Sequence, residues 1–272
     1  MNDEPMTPEG RPKRRIPPLR NGVYIIPNLF TTGGLFSGFY AIIVTLNHQY
    51  RTAAIFILVA QLCDMLDGRV ARLTRTASSF GVQYDSLADL IAFGVAPGIL
   101  LYTWALKPWG QWGWLAATLY VTCGALRLAR FNVQIGSVEK RHFVGLPIPA
   151  AANVVASTVL LYYRFGGQGD TSKHFMMLLV VFVVAGLMVS EIRYFSFKEI
   201  RFHRRHPFPV LLGIIVLVML TIGEPQIMLF LGITTYAFSG PVGALMRLLS
   251  RRRHPAGARV GQVVLDKPGA HS

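Results

Sequence analysis

Apolar runs close to 20 residues long recur along most of this chain, and nothing else in it restricts the fold so tightly. A helix needs about 20 mostly apolar residues to cross the hydrocarbon core of a bilayer. Runs of that kind fall at roughly 27–47, 52–73, 83–106, 110–131, 147–165, 173–195, 208–223 and 225–249. Backbone polar groups in lipid must be satisfied within their own segment, so each run is expected to be helical. The sequence therefore predicts an all-α, polytopic membrane helix bundle of about eight transmembrane helices. At 15% charged and 52% apolar residues, the composition departs from that of a soluble domain in the same direction. The last two runs are divided only by "GEP" at 223–225, which predicts a tight hairpin. No internal repeat is visible. Residues 1–20 and 251–272 are basic and read as disordered tails around one membrane domain at 21–250. The first tail does not read as a cleavable signal, because no short apolar stretch with a small-residue cleavage site follows it.

The 27 basic residues outnumber the 13 acidic ones and give a net charge of +14. They lie between the apolar runs and in the tails, a placement that suits loops facing anionic lipid better than a nucleic-acid groove. With a cytoplasmic N-terminus, all basic residues except Arg51, Lys107, Arg164 and Lys173 fall in cytoplasmic tails, loops or helix ends. That asymmetry predicts cytoplasmic N- and C-termini. Cys63 and Cys123 sit inside apolar runs and no Cys/His spacing resembles a zinc site, while His203 and His206 in a basic loop read as solvated. Trp104, Trp109, Trp112 and Trp114 gather near the outer interface and read as a membrane belt. Pro97 and Gly98 predict a kink in the third span, with a lateral slot for acyl chains beside it.

Against this apolar background, "CDMLDGRVARLTRTASSFGVQYDSLAD" at 63–89 carries four aspartates. An aspartate at the centre of a spanning helix costs about 2.5–3.5 kcal/mol, so the cluster demands a function. At about 100° per residue, Asp64, Asp67, Gly68, Ala71 and Arg72 share one arc of the second helix. Gly81, Asp85 and Asp89 stack at i, i+4 and i+8 on the third. A short connection makes the two helices antiparallel neighbours, so all four carboxylates converge near the cytoplasmic surface. Converging carboxylates repel, and divalent cations remove the repulsion. An all-oxygen donor set indicates Mg²⁺ or Mn²⁺, and four shared aspartates suit a two-metal clamp on a phosphate displacement. The small residues Gly68, Ala71 and Gly81 either permit close helix packing or admit a flat ligand near the backbone, and Arg72 can grip a phosphate bidentately. Ion pairing of the aspartates with Arg69, Arg72 and Arg75 is the dull alternative, and it leaves unexplained why only these four of the 13 acidic residues lie well inside predicted helices.

The pattern D-x-x-D-G-x-x-A-R, eight residues, then G-x-x-x-D-x-x-x-D, matches without gap or substitution the signature of the CDP-alcohol phosphatidyltransferase family. The resemblance implies an integral membrane enzyme that moves a phosphatidyl or phosphoalcohol group from a CDP-linked donor to an alcohol and releases CMP. By position, Asp64, Asp67 and Asp85 would bind a first cation, and Asp85, Asp89 and one of the first pair a second. Gly68, Arg72 and Ser78 would contact the CDP moiety, Asp89 would act as base, and the enzyme would be a homodimer. No serine, cysteine or histidine is placed as an activated nucleophile, so direct in-line attack is expected.

"IPNLFTTGGLFSGFYAI" (26–42), "FGVAPG" (93–98), "ALRLARFNV" (125–133), "FVGLPIPAAAN" (143–153) and, more weakly, "LMVSEIRYFSFK" (187–198) resemble the branch of that family whose acceptor is L-serine and whose donor is CDP-diacylglycerol. A serine carboxylate needs a cation, and Arg127, Arg130 and Arg193 lie at one depth as candidates. Snorkelling to lipid headgroups explains each of them equally well, and a glycerol 3-phosphate or inositol phosphate acceptor would also use arginines. Asn28, Thr31 and Thr32 start the first predicted helix, where they either bind the nucleotide or its phosphate or cap the helix after Pro27. The resulting expectation is an enzyme of the bacterial inner membrane with its site facing the cytoplasm. A divalent-cation transporter is the alternative of a different class. It would place its acids at the midplane between repeated halves.

Overall fold

A computed structural model describes residues 25–74, 79–135, 145–169, 175–192 and 207–253. Among these the chain is helical throughout, with no strand. The helices are α1 (Ile25–Leu46), α2 (Tyr50–Thr74), α3 (Ser79–Asp89), α4 (Ala96–Leu101), α5 (Gln111–Ile135), α6 (Ile148–Arg164), α7 (Phe175–Val189), α8 (Pro207–Gly223) and α9 (Pro225–Arg253). Three helical stretches are long and apolar enough to cross a membrane: Pro27–Leu46, Phe80–Trp109 and Pro225–Met246. The two tails expected at 1–20 and 251–272 fall almost entirely outside the described residues.

α1 and α2 form a tight antiparallel pair. The backbone N–H of Gln49 donates to Val44 O and that of His48 to Thr45 O, both at 2.9 Å. His48 takes φ 58°. This is the crossed pair of bonds that closes a helix through a left-handed residue. Close contact follows from small residues, since a Cβ on Gly34 would meet Cys63 Cβ at 3.5 Å. Ser37 Oγ also donates to Phe56 O at 2.7 Å. Gly38 lies so near the third helical rod that an added Cβ would stand 2.6 Å from Ala92 Cα.

That rod runs without interruption from α3 to Trp109, through a π turn at Leu90–Val95, α4, a second π turn at Tyr102–Leu106 and a 3₁₀ turn at Lys107–Trp109. The helix takes up Pro97 through the first π turn, where Ala96 N–H bonds back five residues to Ile91 O. Proline has no N–H to offer the carbonyl four residues earlier, Phe93. Tyr120 on α5 supplies the missing donor, its hydroxyl lying 3.1 Å from Phe93 O. An apolar groove of about 320 Å³ flanks Gly98, between Val95, Ile99 and Tyr102 of the rod and Trp114, Thr118 and Val121 of α5.

The core is built from Tyr50, Ile57, Phe93, Leu100, Trp104, Tyr120, Ile148 and Val159, all essentially inaccessible. Trp104 therefore does not belong to an interfacial belt. It is 1% exposed and packs edge-on against Tyr162 with ring centroids 5.4 Å apart, because the second π turn faces it inward. Trp112 and Trp114 are exposed as expected. Gly145, at φ 84°, admits the chain entering α6 beneath α7; a Cβ there would sit 2.5 Å from Met188 O. α6 is buried along most of its length, whereas α8 is exposed from Leu211 to Ile222. At the end of the bundle away from the aspartates, Arg164 on α6 grips Glu224, between α8 and α9, through two hydrogen bonds at 2.6 and 3.1 Å.

Candidate active site

α2 and α3 are not packed side by side as expected; both lean on α1, and the acidic side chains meet across the gap between them. One carboxylate oxygen from each of Asp64, Asp67 and Asp85 lies within 4.8 Å of the others. Asp89 lines the same narrow cleft, which is walled by Thr31, Gly34, Ala60, Ala88, Ala92 and Phe93. All four expected aspartates therefore converge. Asp67 is the most enclosed, at 5% exposure. Asp85 feels the charges of Asp64 and Asp67, and Asp89 those of Asp64, Asp85 and Asp67. Three oxygens at this separation are within reach of one hard cation after small rotamer adjustments, since such ions hold oxygens at about 2.0–2.6 Å. The donors are carboxylates alone, a set that suits a hard divalent cation.

Gly68, one residue past Asp67, distinguishes the two explanations for the small residues. A Cβ added there would meet nothing nearer than Arg72 Nη2 at 4.0 Å. Helix packing does not require this glycine, in contrast to Gly38. Its backbone carbonyl accepts Arg72 Nε at 2.8 Å, which folds the guanidinium back over the open gap. Ala71 lies on the same half-exposed face. Gly81 begins the opposite wall on α3, and Ser78 lies outside the described residues.

The candidate acceptor arginines part company. Arg127 on α5 turns inward and its charge reaches Asp89 and Tyr236 of α9. Its Nε is buried without a hydrogen-bond partner. Arg130 instead faces outward, paired with the exposed Glu191 at 3.3 Å, so its charge is already engaged away from the cleft. Arg193 lies outside the described residues.

At the start of α1 the capping alternative fails. The helix begins at Ile25, so Asn28, Thr31 and Thr32 are interior positions and none is a cap. Thr31 Oγ1 donates to Asp67 Oδ2 at 2.9 Å in a buried contact. Thr32 Oγ1 donates to Asn28 O at 2.7 Å and lies 2.9 Å from Tyr84 Oη on α3. Sequence reasoning also passed over Tyr84, Ser86, Asn132 and Tyr236. The first two flank Asp85, which is a usable signal. Asn132 and Tyr236 reach the region from α5 and α9 through tertiary packing alone.

Fold and site together define a helical integral membrane protein with an acidic, cation-competent cleft between two of its helices. Residues 24–185 match the family described as CDP-alcohol phosphatidyltransferase, and the chain belongs to that family. Similar curated proteins include the CDP-diacylglycerol–serine O-phosphatidyltransferase of Helicobacter pylori strain 26695, 41% identical over 203 residues spanning 74% of this chain and 82% of that protein. The enzyme of the same name from Mycobacterium tuberculosis strain H37Rv is 30% identical over 92% of this chain and 96% of its own. An archaetidylserine synthase from Methanothermobacter thermautotrophicus is 39% identical over 62% of this chain and 69% of its own.

Proposed function

We propose that this protein transfers the phosphatidyl group of CDP-diacylglycerol to the hydroxyl of L-serine, forming phosphatidylserine and releasing CMP. The observation that carries the mechanism is the convergence of Asp64, Asp67, Asp85 and Asp89 in one cleft, beside the open face at Gly68. The relatives' names supply the acceptor and the donor.

In this mechanism Asp64, Asp67, Asp85 and Asp89 hold two divalent cations, Mg²⁺ or Mn²⁺. Bound there, such a pair supplies charge withdrawal from the diphosphate and a lowered pKa for the incoming hydroxyl. Gly68 and Ala71 leave room for the cytidine moiety to approach the α2 backbone. Arg72 offers its planar fork to the diphosphate, with Ser78, Gly81 and Asn28 as further contacts. Asp89 takes the proton of the serine hydroxyl as the serine oxygen attacks the β-phosphorus. The new O–P bond forms as the phosphoanhydride bond breaks, and the electron pair leaves with CMP. Arg127, buried beside Asp89 with an unused N–H, receives the serine carboxylate. Arg130 is a weaker candidate for that role because Glu191 already occupies it.

The proposed setting is the bacterial inner membrane, with eight spans, cytoplasmic termini and the site facing the cytoplasm. It is supported by the concentration of basic residues on that side. The domain limits at 21–250 and a homodimeric state belong to the same proposal. The test is an acceptor panel on purified protein with CDP-diacylglycerol and Mn²⁺. Phosphatidylserine forms with serine, and thorough chelation abolishes it. Product from glycerol 3-phosphate or inositol phosphate in preference to serine would overturn the acceptor, and full activity in chelator would overturn the cation site.

A further inference from the structure

Serine and threonine hydroxyls inside apolar helices usually satisfy themselves by bonding the carbonyl one turn back. Thr45, Thr103, Thr158 and Thr221 all do so, at 2.6–2.8 Å. Thr31 departs from this habit. Its hydroxyl lies 3.2 Å from Pro27 O but only 2.9 Å from Asp67 Oδ2, and one proton cannot serve both fully. The nearer, charged acceptor takes it. Both residues are buried, with Thr31 at 6% exposure, so bulk water cannot replace this contact.

The next residue makes a parallel contact with the other acidic helix. Thr32 Oγ1 gives its proton to Asn28 O, so in the 2.9 Å contact the Tyr84 hydroxyl is the donor. On the far side of Asp85, Asn132 Nδ2 of α5 donates to Ser86 Oγ at 3.0 Å, while the Ser86 hydroxyl gives its own proton to Val82 O at 2.9 Å. Asp85 is therefore bracketed by two residues that are each tied to a neighbouring helix. The carboxylates of Asp64, Asp85 and Asp89 receive no hydrogen bond among the described residues.

We propose that Thr31 is a positioning residue that locks the Asp67 carboxylate toward the cation site, and that Thr32–Tyr84 and Ser86–Asn132 hold Asp85 in place against α1 and α5. This role replaces the direct nucleotide contact expected of Thr31, and it rests on the cation-site reading above. The physical reason is that a ligand oxygen held by an outer hydrogen bond loses little rotamer freedom when the ion binds. Removing such partners typically weakens metal affinity about 10–100-fold. The Asp67 carboxylate accepts the threonine proton and also the backbone N–H of Gly68, so two donors fix its orientation.

The test uses full-length protein in detergent and Mn²⁺ alone, with binding read from the electron paramagnetic resonance signal of free Mn²⁺. Thr31→Val is expected to weaken Mn²⁺ binding about 10-fold or more, and Thr31→Ser, which keeps the hydroxyl, to stay within about 3-fold of the parent. Tyr84→Phe gives a smaller loss. Thr45→Val, a buried hydroxyl far along the same helix, leaves binding unchanged. Parent-like Mn²⁺ binding by Thr31→Val overturns the proposal while the cation site stands; if binding of the CDP-lipid is then lost instead, Thr31 contacts the nucleotide. A Thr31→Ser variant as weak as Thr31→Val also overturns it, because the hydroxyl would then not be the cause. Failure of the parent protein itself to bind Mn²⁺ removes the cation site and this inference together.

Discussion

The two ends of α2 and its neighbouring rod are built on opposite rules. At one end, the Tyr50 hydroxyl of α2 lies 3.4 Å from Thr103 O of the rod, Tyr50, Trp104 and Leu106 are fully buried, and the backbones crowd wherever a glycine permits. At the other end, the same helices carry Asp64, Asp67, Asp85 and Asp89 around a cleft, and Gly68 faces open space. Packing determines the first end. At the second, apolar packing is given up for charge convergence, and the cost is carried by polar ties to α1 and α5. A membrane bundle of this kind separates stability from chemistry along the length of single helices.

Substitutions at the two ends should therefore fail in different ways. The largest effect is expected from Asp89→Asn, which loses about 10²–10⁴-fold in turnover while donor binding and thermal stability persist. Asp67→Asn loses turnover and Mn²⁺ binding together. Near-normal turnover in Asp89→Asn would remove that residue from the base role. Next comes Trp104→Ala, which costs about 3–5 kcal/mol of stability, read as a lowered unfolding temperature. Its surviving folded fraction should keep the parent KM for both substrates, and a changed KM would mean that the ends are coupled.

A pair of glycine substitutions sharpens the comparison at smaller scale. Gly38→Ala forces Ala92 away and is expected to destabilise by about 1–3 kcal/mol. Gly68→Ala should leave stability unchanged or raise it by up to about 1 kcal/mol through helix propensity, while KM for the CDP-lipid rises. If Gly68→Ala proved fully active, the open face would have no ligand. The smallest effect is expected from Arg164→Ala at the surface, at about 0–1 kcal/mol with unchanged kinetics, since the Glu224 contact is exposed and screened.

Hydropathy and burial also diverge between two helices. α8 is almost uninterrupted hydrocarbon yet exposed from Leu211 to Ile222. α6 contains Asn153, Ser157 and Thr158 and is buried along most of its length. In lipid, apolar character does not draw a helix inward. Small and hydrogen-bonding residues mark the helices that pack, so the ranking that works for soluble cores inverts. For the same reason, reading Trp104 as interfacial from its neighbours failed while Trp112 and Trp114 conformed. All three lie in one short segment, and only the turn of the π helix separates inward from outward.

The sequence by itself determined the helical membrane class and the four aspartates of the cleft, because period and spacing are local properties that a chain cannot evade. The tertiary structure alone decided that Thr31 serves Asp67, that Arg127 turns inward while Arg130 engages Glu191, and that Tyr120 completes the carbonyl left by Pro97. Each of these depends on which face of one helix meets another tens of residues away. That orientation follows from close packing of the whole bundle, and no local pattern encodes it.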